Sequence, residues 1–165
     1  MPTHSRSRLL TPGDTASPVP ADGLGRVHFT GIGGAGMSGI ARIMLARGMT
    51  VSGSDAAPSA LLDELLALGA DVHVGHAADN LGALGSGDTL VLSTAIRQDN
   101  PELAEAARRG MRVLHRANAL ASVMAGRRVI AVAGTLPKAS RPVTLQSTVR
   151  LKPCTKVPPV FVMEA

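Results

Sequence analysis

The run His28-Phe-Thr-Gly-Ile-Gly-Gly-Ala-Gly-Met-Ser-Gly-Ile-Ala41 and the segment Val51-Ser-Gly-Ser-Asp55 behind it decide the fold. A short apolar stretch at 26–30 reads as a strand and the glycines that follow as a tight turn. Met37, Ile40, Ala41, Met44 and Leu45 then recur at the spacing of one face of a 3.6-residue helix. Gly48 stops that helix, and 50–54 starts a second strand that ends at Asp55. Strand, turn, helix and strand in this order make a unit whose two strands run parallel. Working outward, a helix is expected from an N-cap at Ser59 through Leu61, Leu62, Leu65, Leu66 and Leu68, and further helices at about 101–109 and 117–125. Strands are expected at 71–74, 89–93, 112–114 and 129–133, with a loop at 75–88. The expected fold class is α/β, a Rossmann-like open parallel sheet with helices on both faces.

Composition narrows the function. The 165 residues hold 45% hydrophobic and 18% charged residues, enough apolar material for one aliphatic core. With no Trp or Tyr and two Phe, the chain lacks the rings on which single-stranded nucleic acid stacks. The net charge of +5 is not a binding footprint either, because residues 1–135 carry +1 and residues 136–165 carry +4. A nucleic-acid partner is therefore not expected. Cys154 stands alone, so no internal disulfide forms, and no apolar run near the start is long enough for a signal peptide or membrane span. A cytoplasmic location and no membrane partner follow as expectations. Residues 1–25, rich in Pro, Ser, Thr and Arg without periodicity, read as a disordered leader.

Gly31, Gly33 and Gly36 fit G-x-G-x-x-G between a strand and a helix, with Asp55 closing the next strand. Such glycines permit positive φ and close approach of backbone N–H groups to a diphosphate, toward which the following helix aims its positive end. Asp55 is placed to accept from ribose hydroxyls. Spacing alone leaves an NAD-type dinucleotide-binding redox or sensor module open. It also leaves open a glycine turn with no ligand, in a non-functional remnant.

The wording of the motif goes further. The run from His28 to Ala41 resembles the opening of the Mur ligases that join L-alanine to UDP-N-acetylmuramate. The resemblance continues through Val51-Ser-Gly-Ser-Asp55, Gly75-His76, Ser93-Thr-Ala-Ile96, Asn100-Pro-Glu102, His115-Arg-Ala117 and Ile130-Ala-Val-Ala-Gly-Thr135, covering 26–135 in order. It implies the UDP-sugar-binding first domain of a three-domain cytoplasmic ligase of peptidoglycan synthesis. In such a ligase ATP and Mg²⁺ activate the muramyl carboxylate as an acyl phosphate, which the amine of L-alanine attacks. On that resemblance Gly31, Gly33, Gly34, Ala35, Gly36, Met37 and Ser38 cradle the UDP diphosphate. Ser54, Asp55, His76, Ser93, Thr94 and Ala95 line the same strand-end edge, while His28, His73 and His115 are read as structural.

No catalytic residue and no metal-ligand cluster is expected in this chain. The family's ATP loop, Gly-Thr-His-Gly-Lys-Thr-Thr, is matched here by Gly134-Thr135-Leu136-Pro137-Lys138-Ala139-Ser140. Gly134, Thr135 and Lys138 keep their places, but Pro137 removes an N–H and fixes φ, and Ala139 lacks the hydroxyl. All 18 Gly lie at or before Gly134 and all three Lys after it, so 136–165 reads as a non-family, disordered tail. The expectation is a truncated ligase front end that binds UDP-N-acetylmuramate weakly, holds no cofactor of its own, does not ligate, and leaves uncovered a face that would pack against absent ligase domains.

Overall fold

The computed structural model describes residues 18–129, of which 18–125 form one compact unit. Five strands make one all-parallel sheet: β1 (Val27–Thr30), β2 (Val51–Asp55), β3 (Asp71–Val74), β4 (Thr89–Leu92) and β5 (Arg112–His115). Their order across the sheet is β3-β2-β1-β4-β5, so the chain winds one way through β1, β2 and β3 and then returns past β1 to wind the other way. Four helices connect or follow the strands: α1 (Ala35–Ala46), α2 (Ala60–Ala67), α3 (Pro101–Arg108) and α4 (Arg116–Met124). The α/β reading holds, and most element ends fall within a residue or two of those expected from sequence.

Period-two alternation assigns the strands to two cores. Val27 and Phe29 of β1, Val51 of β2, Val91 of β4 and Leu114 of β5 face α1, α2 and α4, joining Met37, Ile40, Met44, Leu62, Leu65 and Val123. On the opposite face Leu90 and Leu92 of β4 and Val113 of β5 pack with Ala106 of α3, Met111, and Leu81 and Leu84 of the β3–β4 connection. That connection, expected as loop, contains a 3-10 turn at Ala78–Leu81 that covers this face where no long helix does. Beside the second core the same face turns polar, because β1 offers His28 and Thr30 there and β2 offers Ser52 and Ser54, with Thr30, His28 and Ser54 wholly buried.

Three expectations need revision or fall outside view. The leader does not reach Gly25: Ala21–Gly23 form a 3-10 turn, Leu24 is wholly buried, and the Leu24 carbonyl accepts from Thr89 Oγ1 at 2.6 Å. Polar composition hid one apolar anchor at the end of the segment. Residues 1–17 lie outside the described residues, as do the tail at 136–165 and all of the strand expected at 129–133 except Val129. The helix expected near Met37 starts two residues earlier, at Ala35, with Gly34 as a cap that supplies no side chain.

Phe29 is the largest wholly buried side chain of the β1 core, so Phe29→Ala is expected to lower unfolding free energy by roughly 3–5 kcal/mol. Urea denaturation followed by circular dichroism checks this; a loss below about 1 kcal/mol would contradict the assigned core.

Candidate functional site

The C-terminal ends of β1, β2, β3 and β4 open on a cleft of about 520 Å³. It lies where the winding reverses between β1 and β4, the place at which open α/β sheets bind ligands. Gly31, Gly33 and Gly34 line it after β1, Asp55 to Ser59 after β2, His76 after β3, and Ser93, Ala95 and Ile96 after β4.

Backbone and short side chains from the end of β2 hold the glycine turn in shape. The Ser54 carbonyl accepts from the N–H groups of Gly31 at 2.8 Å and Ile32 at 3.0 Å, and Gly31 adopts φ +84° to make the turn. Among the fingerprint glycines only Gly31 has positive φ; Gly33 is needed for room. A Cβ on Gly33 would stand 2.6 Å from Leu62 Cδ1 and 2.9 Å from Asp55 Oδ2. The closeness reflects a bond, for the Gly33 N–H donates to Asp55 Oδ2 at 2.8 Å. Asp55 thus supports the loop with one oxygen, while Oδ1 has no partner among the described residues. The N–H groups of Ala35 and Gly36, first in α1, also lack a partner among the described residues, since Gly34 provides no capping side chain. Gly36 faces Arg116 at the start of α4: a Cβ there would meet Nη1 at 2.9 Å.

Some expected site residues belong elsewhere. Met37 is core, and Ser38 is buried with its hydroxyl donating to the Ala35 carbonyl at 3.2 Å, so neither side chain lines the cleft. Thr94 is exposed and outside the lining, as are Ala35 and Gly36, whose contribution is backbone. Ser54 lies beneath the floor, wholly buried, and Gly134, Thr135 and Lys138 fall outside the described residues.

Beneath the floor sits Glu102, which the sequence reading quoted only as part of a matched motif. Asn100 caps α3, its Oδ1 accepting from the N–H of Glu102 at 2.9 Å and of Leu103 at 3.3 Å, with Pro101 in the first turn. This places the Glu102 carboxylate at the positive end of α3, wholly buried in the polar seam. Oε2 accepts from Thr30 Oγ1 at 2.7 Å and Ser54 Oγ at 2.8 Å, and Oε1 accepts from Asn80 Nδ2 at 2.7 Å. His28 Nε2 stands off at 3.5 Å, without a fully formed hydrogen bond, and His76 Nδ1 at 3.8 Å. Burial pushes the Glu102 carboxyl up, but His28, Asn80, Thr30 and Ser54 together outweigh it and hold it down at about 2. A signal for this group existed in the sequence: His28, Thr30, Ser52 and Ser54 alternate on one face of two central strands, and polar groups buried there require a partner. Among the described residues no group of three or more His, Cys, Asp or Glu could hold a metal ion, and no helix is long and apolar enough to cross a membrane.

A parallel sheet wound in two directions around a strand-end cleft, with a glycine turn after its first strand, defines a Rossmann-like α/β domain. The chain belongs to the Mur ligase family: the model described as Mur ligase family, catalytic domain, matches residues 26–128. It is similar to the UDP-N-acetylmuramate--L-alanine ligase of Nocardioides sp. (strain ATCC BAA-499 / JS614), 67% identical over 117 residues that make up 71% of this chain and 26% of that protein. The protein of the same name from Thermobifida fusca (strain YX) is 60% identical over 122 residues, 74% of this chain and 25% of its own length. Among solved structures, a murein peptide ligase from Psychrobacter arcticus 273-4 superposes with a TM-score of 0.59 at 29% identity, covering 68% of this chain and 24% of that one. The chain spans about a quarter of the length of the curated relatives it matches.

Because Glu102 is held below its ordinary value of 4.5, its contribution to stability is fully present above pH 4.5 and is lost as pH falls toward about 2. Glu102→Gln is expected to flatten the loss of stability across that window, measured as denaturation midpoint against pH. Glu105, which Arg108 and Arg109 also hold at about 2, titrates in both proteins and cancels in the comparison. Glu102→Ala, which strands Thr30, Ser54 and Asn80, is expected to cost roughly 3–5 kcal/mol at neutral pH.

Proposed function

We propose that the cleft binds UDP-N-acetylmuramate, and that this chain carries the UDP-sugar-binding part of a UDP-N-acetylmuramate:L-alanine ligase acting in peptidoglycan synthesis. The observation that carries the reading is the unpartnered pair of N–H groups at Ala35 and Gly36 beside the Arg116 guanidinium, at the rim of a strand-end cleft. Two aligned N–H donors, a helix's positive end and a cation are the chemistry that a diphosphate needs. Asp55 Oδ1, which has no partner among the described residues, is available to a ribose hydroxyl. The names of the relatives support the choice of sugar, and the family supports the reaction class.

In the whole ligase ATP and Mg²⁺ supply the activation of the sugar's carboxylate. The residues of this chain that would hold ATP are Gly134, Thr135 and Lys138, which fall outside the described residues. We propose that the loop they form does not cradle a triphosphate, because Pro137 withholds an N–H where the family's loop has glycine and Ala139 has no hydroxyl for Mg²⁺. The role left to residues 26–129 is to bind and orient the UDP-sugar. In the whole ligase this part would pack against the ATP-binding part.

A thermal-shift titration with UDP-N-acetylmuramate, UDP, NAD and Mg-ATP in parallel tests the reading. Saturation at about 100 times Kd stabilises a folded protein by about 2.7 kcal/mol, a readily measured rise in Tm. UDP-N-acetylmuramate is expected to raise Tm, UDP less, NAD and Mg-ATP not at all. Gly33→Ala is expected to abolish the rise by pushing Asp55 and Leu62 aside, and Arg116→Ala to weaken binding and flatten its salt dependence. Stabilisation by NAD alone would replace the proposal with a dinucleotide-binding module. Silence toward all four ligands from a folded protein would leave a remnant without a ligand.

A further inference from the structure

The hydrogen bonds around Ser54 leave its single proton one place to go. Glu102 Oε2, an ionised carboxylate oxygen, can only accept, and it lies 2.8 Å from Ser54 Oγ. The Ser54 hydroxyl therefore donates to Glu102. The same Oγ lies 2.8 Å from His76 Nδ1 and has only lone pairs left to offer in that direction. Nδ1 must carry a hydrogen. In the neutral imidazole Nε2 is then the bare nitrogen, on the edge of the ring turned away from Ser54. His76 lines the cleft and its side chain is 20% exposed, whereas Ser54 and Glu102 are wholly buried.

We propose that Glu102, acting through Ser54, is a positioning residue that fixes His76 in the Nδ1–H tautomer and so presents Nε2 to the cleft as a hydrogen-bond acceptor, selecting ligands with an O–H or N–H donor at that point. The reverse arrangement would set a serine lone pair against a buried carboxylate at 2.8 Å, a penalty large enough to favour the Nδ1–H form at least about tenfold. The Ser54 backbone carbonyl, bonded to Gly31 and Ile32, shapes the glycine turn at the same time. One residue therefore sets both the turn and the orientation of the histidine. Asn80 ties the arrangement to the chain around His76, since its Nδ2 donates to the Gly75 carbonyl at 2.9 Å as well as to Glu102. The identity of the donor-bearing ligand as a UDP-sugar rests on the function proposed above; the tautomer does not.

Nitrogen NMR of the His76 ring, assigned by comparison with His76→Gln and recorded where the ring is neutral, decides the matter in two arms. Without ligand, the full chain is expected to show the Nδ1–H tautomer. Ser54→Ala and Glu102→Gln, one removing the hydroxyl and the other offering an amide N–H that frees the serine proton, are expected to let the Nε2–H form appear. An Nε2–H ring in the unaltered protein would overturn the proposal, as would an unchanged ring in whichever of the two variants fold. In the second arm UDP-N-acetylmuramate is added. The Nε2 resonance is expected to move, and Ser54→Ala to weaken binding roughly threefold to tenfold. A stationary Nε2 in a protein whose Gly33 and Gly34 amides respond would overturn the acceptor role. No response at any of these groups would reject the UDP-sugar reading and leave the first arm to judge the tautomer.

Discussion

The structure depends on one buried charge. A carboxylate taken out of water costs several kcal/mol unless donors surround it, and Glu102 is surrounded by Thr30, Ser54 and Asn80 with the N-terminus of α3 behind it. Those donors come from β1, β2 and the β3–β4 connection, so a single side chain ties α3 to three separated segments. The apolar core alone could not do this, because hydrophobic contact is non-directional. A bidentate carboxylate with three donors at 2.7–2.8 Å tolerates little. The positions of the strand ends relative to one another are what a cleft at those ends needs to be fixed.

Above that seam the glycine side of the cleft is built mostly from backbone. Gly31 supplies the turn, Gly33 the room for Asp55, and α1 begins with two N–H groups that have no partner among the described residues, since Gly34 has no side chain to cap it. Elsewhere in the same chain Ser59 caps α2 and Asn100 caps α3 with their side chains. A glycine at the cap position costs only about a few tenths of a kcal/mol relative to Ser or Asn, so α1 gives up little stability by it. Helix α4 also starts without a side-chain cap, at His115, so what sets α1 apart is the glycine turn in front of it and its place at the cleft.

The elements were legible because their signals are local. Alternation, helical period, glycine stops and the Ser59 cap are all read within windows of a dozen residues, and repeated strand-helix units imply parallel strands but not the reversal at β1. Of the residues expected at the site, Gly31, Gly33, Gly34, Asp55, His76, Ser93 and Ala95 line the cleft, because strand ends and the turn between them can be placed from sequence. Met37 and Ser38 were misplaced because a motif names consecutive residues, whereas a helix turns successive side chains by about 100° and sends these two inward. Leu24 was missed because one apolar anchor in a polar segment has no period to announce it.

Glu102 shows the other kind of limit. It lies 72 residues from Thr30 and 48 from Ser54, so no local window contains the interaction, and a Glu in the first turn of a helix ordinarily faces water. What the sequence does contain is the complementary demand: two central strands placing His28, Thr30, Ser52 and Ser54 on a face that a parallel sheet buries. Ser52 pairs with His28 Nδ1 inside that set, while the hydroxyl protons of Thr30 and Ser54 go to an acceptor outside it. That acceptor is a carboxylate at a capped helix start, held in place by Asn100 and Pro101 and kept ionised by the donors around it.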